Sequence, residues 1–416
     1  MIEQRVEKHI ISKTSPYFKM LDRFCLMSKN LYNTANYLIR QELFRNGKWL
    51  RYEDLDKILK QPDNCKDYRN MPCAVSAQQT LRSLDSVWKA YFKSHKDWKL
   101  HPDKYLGEPC FPKYKDKLKG RHPIYLTSQT CAIKDNNLCF PKVFEGLNIK
   151  LYYPTVISSS EFRQCRILSC GNHIVIEVVY NIETAAINND SVLGRYIGID
   201  LGLDNLAAVS NNVGAPFYII DGKGLKSINR YWNKLYAEAK STLMNQPKKR
   251  YESNKTMRLT YKRNQKINDY LHKASRWIVN FANQINVNTI IIGKNNLWKQ
   301  NINLGSKTNQ KFVQIPHARL IDMIKYKANE RGIKVVCVEE SYTSKTSFLD
   351  EEDPIKHESY AGTRTYRGLF RTATGLKINA DSNGAMQIIK KYAQYSVQDT
   401  TKIRICLQRP IRLNVS

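Results

Sequence analysis

The chain has 416 residues, and its 67 lysine and arginine residues outnumber its 37 aspartate and glutamate residues to give a formal net charge of +30. That excess is far beyond what solubility requires, so it favours a polyanionic partner, and nucleic acid above all. No run of about 20 apolar residues could span a membrane, and the first residues lack the pattern of a secretory signal. The length predicts two or three domains with a large core.

The cysteines indicate the redox compartment, and the tyrosines indicate how nucleic acid could be bound. The ten cysteines are scattered and form no CxxC pair, which indicates free thiols in a reducing compartment and no zinc site of the usual spacing. The 25 tyrosines add rings that can stack on bases between the basic side chains. We therefore expect a cytoplasmic protein that binds nucleic acid.

The N-terminal part predicts an antiparallel sheet interrupted by helices. A short strand in residues 1–14 precedes a helix start at Ser15-Pro16, and apolar residues at helical spacing continue to about Phe44. A second amphipathic helix opens at Pro72. After the basic and aromatic stretch 111–117, the predicted strands are 149–153, 162–168 and 174–180. The two helices would be inserted between the first strand and the others.

The stretch 195–209 predicts the centre of the second half of the chain. An apolar strand stops on Asp200, Gly202 allows a sharp turn, and a second apolar strand returns at 206–209. A carboxylate on a buried strand is costly unless it is paired, and a metal ion is one such partner. Taken alone, Asp200 could equally be a hydrogen-bonded turn residue.

Two long helical patterns follow, and they are strongly basic. Between Lys226 and Arg276 there are 14 lysine or arginine residues against three acids. A solvated helical hairpin is one interpretation of such a run. However, so large an excess of basic residues is self-repelling unless anions neutralise it. We therefore favour a surface that faces phosphates.

The remaining elements predict α/β units that bring further acids toward Asp200. A buried strand at 289–292 runs into Gly293, and a later strand at 334–338 closes on Glu339 and Glu340; a last helix opens with Asp381 in its first turn. Strand ends of a largely parallel sheet gather at one edge, so these carboxylates can converge. Convergent carboxylates need divalent cations, and oxygen ligands suit Mg²⁺ or Mn²⁺. Two such ions can support phosphodiester displacement.

At these residues the chain resembles a known family. The segment 198–210, GIDLGLDNLAAVS, is similar to the first RuvC motif of the TnpB proteins of insertion sequences, which are relatives of the type V CRISPR effectors and of the Fanzor proteins. The resemblance continues in 270–275, in Tyr342-Thr-Ser-Lys345 and in 379–385, which is similar to the third RuvC motif. It covers almost the whole chain.

The resemblance implies a multidomain α+β fold and an RNA-guided, metal-dependent DNA endonuclease. The implied parts are a split wedge β-barrel, an inserted helical recognition lobe, an RNase H-like RuvC nuclease domain, a target-nucleic-acid-binding insertion and a basic tail. Residues 1–14 and 100–190 would form the wedge barrel, and residues 15–99 the recognition lobe. Residues 191–340 and 379–400 would form the nuclease domain. The insertion would be residues 341–378, and the basic tail residues 401–416.

The chain departs from the common family pattern at Gly293, where TnpB proteins usually place the second catalytic glutamate. Read alone, this glycine indicates an inactive nuclease. Fanzor proteins and a subset of TnpB proteins, however, resemble this chain in carrying the glutamate later, just before the Tyr-Thr-Ser-Lys segment. We therefore expect the catalytic and metal-binding residues to be Asp200, Glu340 and Asp381, with Glu339 as the alternative to Glu340.

A second departure concerns zinc. The family usually carries a four-cysteine zinc ribbon in the region that corresponds to 341–378, but this segment contains no cysteine and one histidine, His357. Structural zinc needs more thiolate or imidazole ligands than that. We expect no structural zinc. The segment is then either partly mobile or held by packing of its apolar residues: Tyr360, Tyr366, Leu369 and Phe370.

The expected cofactor is therefore Mg²⁺ or Mn²⁺, as two ions, and the expected partners are a guide RNA from the transposon end and double-stranded target DNA. One monomer per guide RNA in a prokaryotic host is implied. The residues expected to bind nucleic acid are Lys113, Lys115, Lys248, Lys249, Arg250, Lys262, Arg263, His272, Lys273 and Lys345.

Two other functions stay open. The chain could be a guided DNA binder or repressor that has lost cleavage, which Gly293 favours. It could also be a transposase acting on transposon ends. A single-strand transposase would need a tyrosine nucleophile with metal-binding histidines, and the eight histidines form no paired motif.

Overall fold

The computed structural model describes residues 2–152, 157, 161–183, 194–245, 252–295, 314–393 and 400–415. It has a mixed α+β fold, as predicted, and divides into two compact units, residues 2–183 and residues 184–416. Within the described ranges, no helix is long and apolar enough to cross a membrane.

The first unit combines a helical pair with small antiparallel sheets. Its helices are α1 (Phe18–Asn46), α2 (Tyr52–Leu59), α3 (Lys66–Arg69) and α4 (Ala74–Leu100). Its strands are β1 (Ile2–Ser12), β2 (Ile124–Thr127), β3 (Ala132–Lys134), β4 (Asn137–Cys139), β5 (Asn148–Lys150), β6 (Phe162–Ser169) and β7 (His173–Glu183).

The order of the main sheet is β1-β7-β6-β2, and every pairing in it is antiparallel. The N-terminal strand therefore completes a sheet with strands that come after the helices, as the sequence predicted. The apolar stripes of α1 and α4 pack into one core, in which Leu21, Leu31 and Trp88 are fully buried. α1 begins at Phe18, slightly later than the Ser15-Pro16 start that was predicted. The wedge-barrel and recognition-lobe assignments stay predictions.

The second unit is built on a six-stranded sheet. Its strands are β8 (Tyr196–Leu201), β9 (Asn205–Asn211), β10 (Tyr218–Asp221), β11 (Thr289–Gly293), β12 (Lys334–Val338) and β16 (Ile411–Leu413). Its helices are α5 (Lys223–Met244), α6 (Asn254–Gln284), α7 (His317–Asn329), α8 (Ala380–Tyr392) and α9 (Thr400–Gln408).

The strand order of this sheet is β12-β11-β8-β9-β10-β16. β9 is antiparallel to both of its neighbours, β8 and β10, whereas β11 and β12 run parallel to β8. Alternate residues of β11 serve two cores, because Ile290 and Ile292 pack with α6 and α7 while Ile291 packs with α8. β8 thus lies at the centre of a sheet that is covered on both faces.

Residues 341–379 contain a three-stranded sheet of β13 (Thr363–Tyr366), β14 (Leu369–Arg371) and β15 (Lys377–Asn379). Phe370, one of the expected packing residues, is fully buried beside Phe348 and Ile378. Tyr366 was expected to pack as well, but it is 66% exposed. All four residues of β13 are exposed, so this strand has no buried face against which Tyr366 could pack.

The C-terminal residues correct the sequence interpretation. Residues 401–416 were expected to be a loose basic tail, but they form α9 and β16, and β16 pairs in parallel with β10. Ile403 and Leu407, four residues apart, are buried in a core with Phe217. The surrounding basic residues hid this short apolar stripe from sequence analysis.

Candidate active site

Asp200 lies in β8, opposite Ala208 of β9, with partial exposure to a cleft. Its carboxylate faces the first turns of α8, where a Cβ atom on Gly384 would lie only 2.8 Å from Asp200 Oδ2. Glycine at this position therefore permits the close approach of the helix to the carboxylate. The surrounding protein and the nearby acids raise the pKa of Asp200 well above its usual range.

Asp381 reaches the same cleft from the first turn of α8. Asn379 caps this helix, since its side-chain oxygen accepts hydrogen bonds from the amides of Asp381, at 3.1 Å, and Ser382, at 2.9 Å. The Asp381 carboxylate accepts a hydrogen bond from Asn205 and lies 3.2 Å from Arg364. Its position is thus set by a helix cap and two polar neighbours.

Glu340 comes from the loop directly after β12. Its backbone amide and its carboxylate both bond to the side chain of Asn295, each at 3.1 Å. The other carboxylate oxygen, Oε2, is buried and has no hydrogen-bond partner among the described residues. Burial, together with the neighbouring Glu339, raises the pKa of Glu340 to about 7.

Glu340 occupies the space beside Gly293. A Cβ atom on Gly293 would lie 2.9 Å from Glu340 Oε2. The carboxylate therefore sits next to the position where the common TnpB pattern places its glutamate. Glu339 points elsewhere: it is exposed, bonds to Ser341 and pairs with Lys391 at 3.1 Å.

The three acids line one cleft of about 660 Å³. Burial is the main cause of the raised pKa of Asp200, followed by the charges of Glu340 and Asp381, while Arg364 opposes them. Among the described residues, no three histidine, cysteine or acidic side chains are grouped closely enough to form a metal centre. Asp381 is engaged with Asn205 and Arg364 instead.

The donors nevertheless fit a hard divalent cation. The acids offer only oxygen ligands, which suit Mg²⁺ or Mn²⁺. The unpartnered Glu340 Oε2 is a buried acceptor without compensation, and a cation would compensate it.

Several cleft residues escaped the sequence analysis. Arg367 pairs with Asp204 at 2.7 Å, and Arg412 donates to Asn205 at 3.2 Å. Asn205 belongs to the 198–210 motif, so its proximity to Asp200 was a usable signal. Nothing in the local sequence around Arg367 and Arg412 marks them, because long-range contacts alone bring them to the cleft.

In the first unit, residues 111–117, which we call the strap, lie along α1. Asn33 bonds to both backbone groups of Lys115 at 2.9 Å, and Asn36 and Arg40 donate to the Pro112 carbonyl at 3.0 and 2.7 Å. Lys29 donates to the Lys117 carbonyl at 2.8 Å. The backbone of the strap is thus pinned, while the expected nucleic-acid ligands Lys113 and Lys115 are exposed.

The other expected nucleic-acid ligands differ in their surroundings. Lys262, His272, Lys273 and Lys345 are exposed, although Lys273 pairs with Asp269 at 3.1 Å. Arg263 is turned inward, where it donates to Asn229, Asn264 and the Gln314 carbonyl. It ties α5 and α6 together instead of facing solvent. Lys248, Lys249 and Arg250 lie outside the described residues.

Two family models match the chain. Residues 177–299 match OrfB of IS605, described as "Probable transposase", and residues 317–388 match the Cas12f1-like TNB domain. The first match contains Asp200, and the second contains Glu340 and Asp381.

Two curated relatives are similar to the chain. The TnpB-like protein ORF457 of Acidianus two-tailed virus is 23% identical over 92% of this chain and 86% of its own length. The CRISPR-associated endodeoxyribonuclease Cas12f2 of a Micrarchaeota archaeon is 32% identical over 47% of this chain, and the match spans only 36% of that relative.

Solved structures of low similarity include a Cas12f1–sgRNA–target DNA complex, with 16% identity, a TM-score of 0.34 and coverage of 94% of this chain and 100% of that one. Another is the mini-RNA-guided endonuclease CRISPR-Cas_phi3, with 10% identity, a TM-score of 0.46 and coverage of 98% and 93%. The sequence matches are thus to a transposon-associated family model and to compact CRISPR effectors. The two family models and the TnpB-like relative together support the assignment of this chain to the TnpB family.

Proposed function

We propose that this protein is an RNA-guided DNA endonuclease that hydrolyses phosphodiester bonds of target DNA with divalent metal ions. The observation that carries this proposal is the approach of Asp200, Glu340 and Asp381 to one cleft, where Glu340 keeps a buried, unpartnered oxygen. A carboxylate such as Asp200, whose pKa is raised by burial and by neighbouring acids, is costly, and such groups concentrate at functional sites.

The sheet supports a nuclease domain of the RuvC, RNase H-like type. Its central strand β8 carries Asp200, and the parallel neighbours β11 and β12 run toward the same edge, where Glu340 follows β12. The carboxyl ends of parallel strands are where α/β sheets build their sites. Asp381 joins from α8, which packs on the same sheet.

In the proposed mechanism Asp200, Glu340 and Asp381 would hold Mg²⁺ or Mn²⁺, as two ions. Such ions would supply polarisation of the phosphate and charge stabilisation of the attacking and leaving oxygens. Asn205 orients Asp381. At the rim, Arg364 and Arg367 provide positive charge for the phosphates of the strand to be cut.

The proposed partners are a guide RNA from the transposon end and double-stranded target DNA, with one monomer per guide RNA in the cytoplasm. The strap supports nucleic-acid binding in the first unit because its lysines are exposed on a pinned backbone. In the second unit, Lys262 and Lys345 offer further exposed charge. We propose no structural zinc.

A guided DNA binder without cleavage is the second candidate. The observations that favour it are Gly293 in place of the usual glutamate and the lack of a closed acidic cluster among the described residues. A binder, however, would gain nothing from a carboxylate in the cleft that keeps one buried oxygen, Glu340 Oε2, without a partner among the described residues. Transposase is the description of one matching family model. A single-strand transposase, however, would need a tyrosine nucleophile supported by paired histidines, and the eight histidines form no paired motif.

The test is to purify the protein with its co-expressed RNA and to incubate it with matching target DNA. We expect cleavage with Mg²⁺ or Mn²⁺ and none after chelation. Guide-dependent binding without any cleavage would establish the guided binder instead. Cleavage that does not depend on the RNA would contradict the RNA-guided activity.

A further inference from the structure

Glu340 lies in a loop beyond the edge strand of the sheet, so it needs more support than a strand residue. β12 ends at Val338, and it has one strand neighbour, β11, in the described sheet. A side chain that starts two residues past the end of a strand has freedom that strand pairing does not remove. Some other contact must fix it.

The contact is Asn295, which holds Glu340 at two points. Its amide nitrogen donates to Glu340 Oε1 at 3.1 Å, and its amide oxygen accepts from the Glu340 backbone amide at 3.1 Å. The backbone amide of Lys294 also donates to the Val338 carbonyl at 2.8 Å. Hydrogen bonds therefore continue between residues 294–295 and residues 338–340 beyond the ends of the two strands, as far as Glu340.

Gly293 provides the space for this arrangement. A Cβ atom there would lie 2.9 Å from Glu340 Oε2 and 2.5 Å from Ile388 Cδ1. A larger residue at position 293 would therefore have to displace the Glu340 carboxylate or the Ile388 side chain.

We propose that Gly293 and Asn295 together position Glu340, the first by leaving the volume that the carboxylate occupies and the second by holding its backbone and its carboxylate at once. This inference rests on the proposed function, in which Glu340 binds metal. Gly293 is then a requirement of the relocated glutamate, and Asn295 is a positioning residue that acts through Glu340.

Asparagine is suited to this role because its amide combines one donor and one acceptor. An aspartate at this position has the same shape, but it lacks the donor and would place a second negative charge against Glu340. An alanine removes both hydrogen bonds. Comparing the two substitutions therefore distinguishes the loss of the hydrogen bonds to Glu340 from charge repulsion against Glu340.

The experiment compares Asn295→Ala, Asn295→Asp and Gly293→Ala with the natural chain, each as the full-length protein–RNA complex. Mn²⁺ alone is the probe, titrated by calorimetry, and the Mg²⁺ concentration for half-maximal cleavage is a second readout. We expect Asn295→Ala to weaken Mn²⁺ binding about tenfold, as for lost hydrogen bonds to a charged group. Asn295→Asp should lose more affinity, and Gly293→Ala should change it in the same direction.

Cleavage by Asn295→Ala should recover at high Mg²⁺, and target binding should be unchanged. The matched control is Ser341→Ala, which removes a side chain next to Glu340 that bonds to Glu339 instead; it should keep the natural Mn²⁺ affinity. Adding Asn295→Ala to Glu340→Ala should cost no further affinity, since a positioning residue acts only through its target.

An Asn295→Ala complex with natural Mn²⁺ affinity would overturn the positioning role. So would a double variant in which Asn295→Ala lowers Mn²⁺ affinity as much in the Glu340→Ala background as it does in the natural chain. If Glu340→Ala itself left both Mn²⁺ binding and cleavage unchanged, the proposed function would fail first. Loss of metal affinity in Glu340→Ala but not in Asn295→Ala would remove only this inference.

Discussion

The acidic cleft of the second unit and the strap of the first unit present opposite chemistry. In the cleft, carboxylates are partly buried and one of their oxygens lacks a partner among the described residues. In the strap, the lysine side chains are exposed while the backbone is engaged by Lys29, Asn33, Asn36 and Arg40. The cleft leaves negative side-chain charge uncompensated. The strap holds its backbone in place and leaves its positive side chains exposed.

This difference explains how one protein can carry a net charge of +30 and still gather acids. Exposed lysines on a fixed backbone suit a long polyanion, because each neutralised phosphate adds a modest, salt-dependent gain. Acids that lie close enough to raise the pKa of Asp200 instead suit a small, highly charged cation. The basic region would hold the nucleic acid, and the acidic region would act on it.

The largest effect is expected in the cleft from Asp200→Asn. The substitution keeps the shape of the side chain but removes its negative charge, so metal binding and cleavage should both suffer. Several kcal/mol of lost stabilisation correspond to a fall in cleavage rate of about 10³-fold. The measurement is single-turnover cleavage beside target binding by filter retention; cleavage within tenfold of the natural rate would remove Asp200 from the site.

A smaller effect is expected on stability from Glu340→Gln. The pKa of Glu340 is raised from 4.5 to about 7, so the folded state holds its proton more tightly than the unfolded state. Its contribution to stability is therefore present below pH 4.5 and is lost as pH rises toward 7. Without metal at pH 8, Glu340→Gln should be more stable than the natural chain by on the order of 2 kcal/mol.

Denaturant unfolding at pH 5 and pH 8, with a chelator present, measures this difference. The gain should be much smaller at pH 5 than at pH 8, and added Mn²⁺ should stabilise only the natural chain. An equal gain at both pH values would mean that packing, and not ionisation, is responsible.

The strap offers a weaker, salt-dependent effect. Replacing Lys113 and Lys115 by alanine should lower the slope of log affinity against log salt by about 0.7–0.9 for each phosphate that these lysines neutralise. Asn33→Ala keeps both charges and releases only the backbone, so it should weaken binding with little change in slope. Titrations over a range of salt concentrations distinguish the two variants, and an unchanged slope in the double lysine variant would mean that the strap is merely solvated.

The smallest expected effect is that of zinc chelation. Residues 341–378 are held by a three-stranded sheet and by Phe348, Phe370 and Ile378, so a zinc chelator should leave the unfolding midpoint unchanged. Elemental analysis of the purified protein checks the same point. One tightly bound zinc per chain would show that this segment has ligands beyond those expected.

Sequence analysis proposed Asp200, Glu340 and Asp381 as site residues because each lies where an apolar pattern stops or a helix begins, and the family resemblance favoured Glu340 over Glu339. It also predicted the insertion of α1 and α4 into the first sheet, since amphipathic spacing and hairpin turns are local signals. Asn295 gave no such signal, because its role depends on a partner 45 residues away that only the parallel pairing of β11 and β12 brings close.

Two corrections have the same origin. Arg263 lies in a basic run that predicted a phosphate ligand, yet it bonds to Asn229 and the Gln314 carbonyl. The C-terminal residues looked like a basic tail, yet Ile403 and Leu407 are buried. In both cases charge composition was informative for the region but not for the individual side chain, whose direction is set by tertiary packing.

The central claim is that the second acid of the site has moved from the end of β11 to Glu340. The most direct measurement compares the Mg²⁺-dependent cleavage rates of Glu340→Ala and Glu339→Ala complexes that bind guide and target equally well. We predict no cleavage by Glu340→Ala and a near-natural rate for Glu339→Ala, whose carboxylate pairs with Lys391. Cleavage by Glu340→Ala at the natural rate would contradict the relocation.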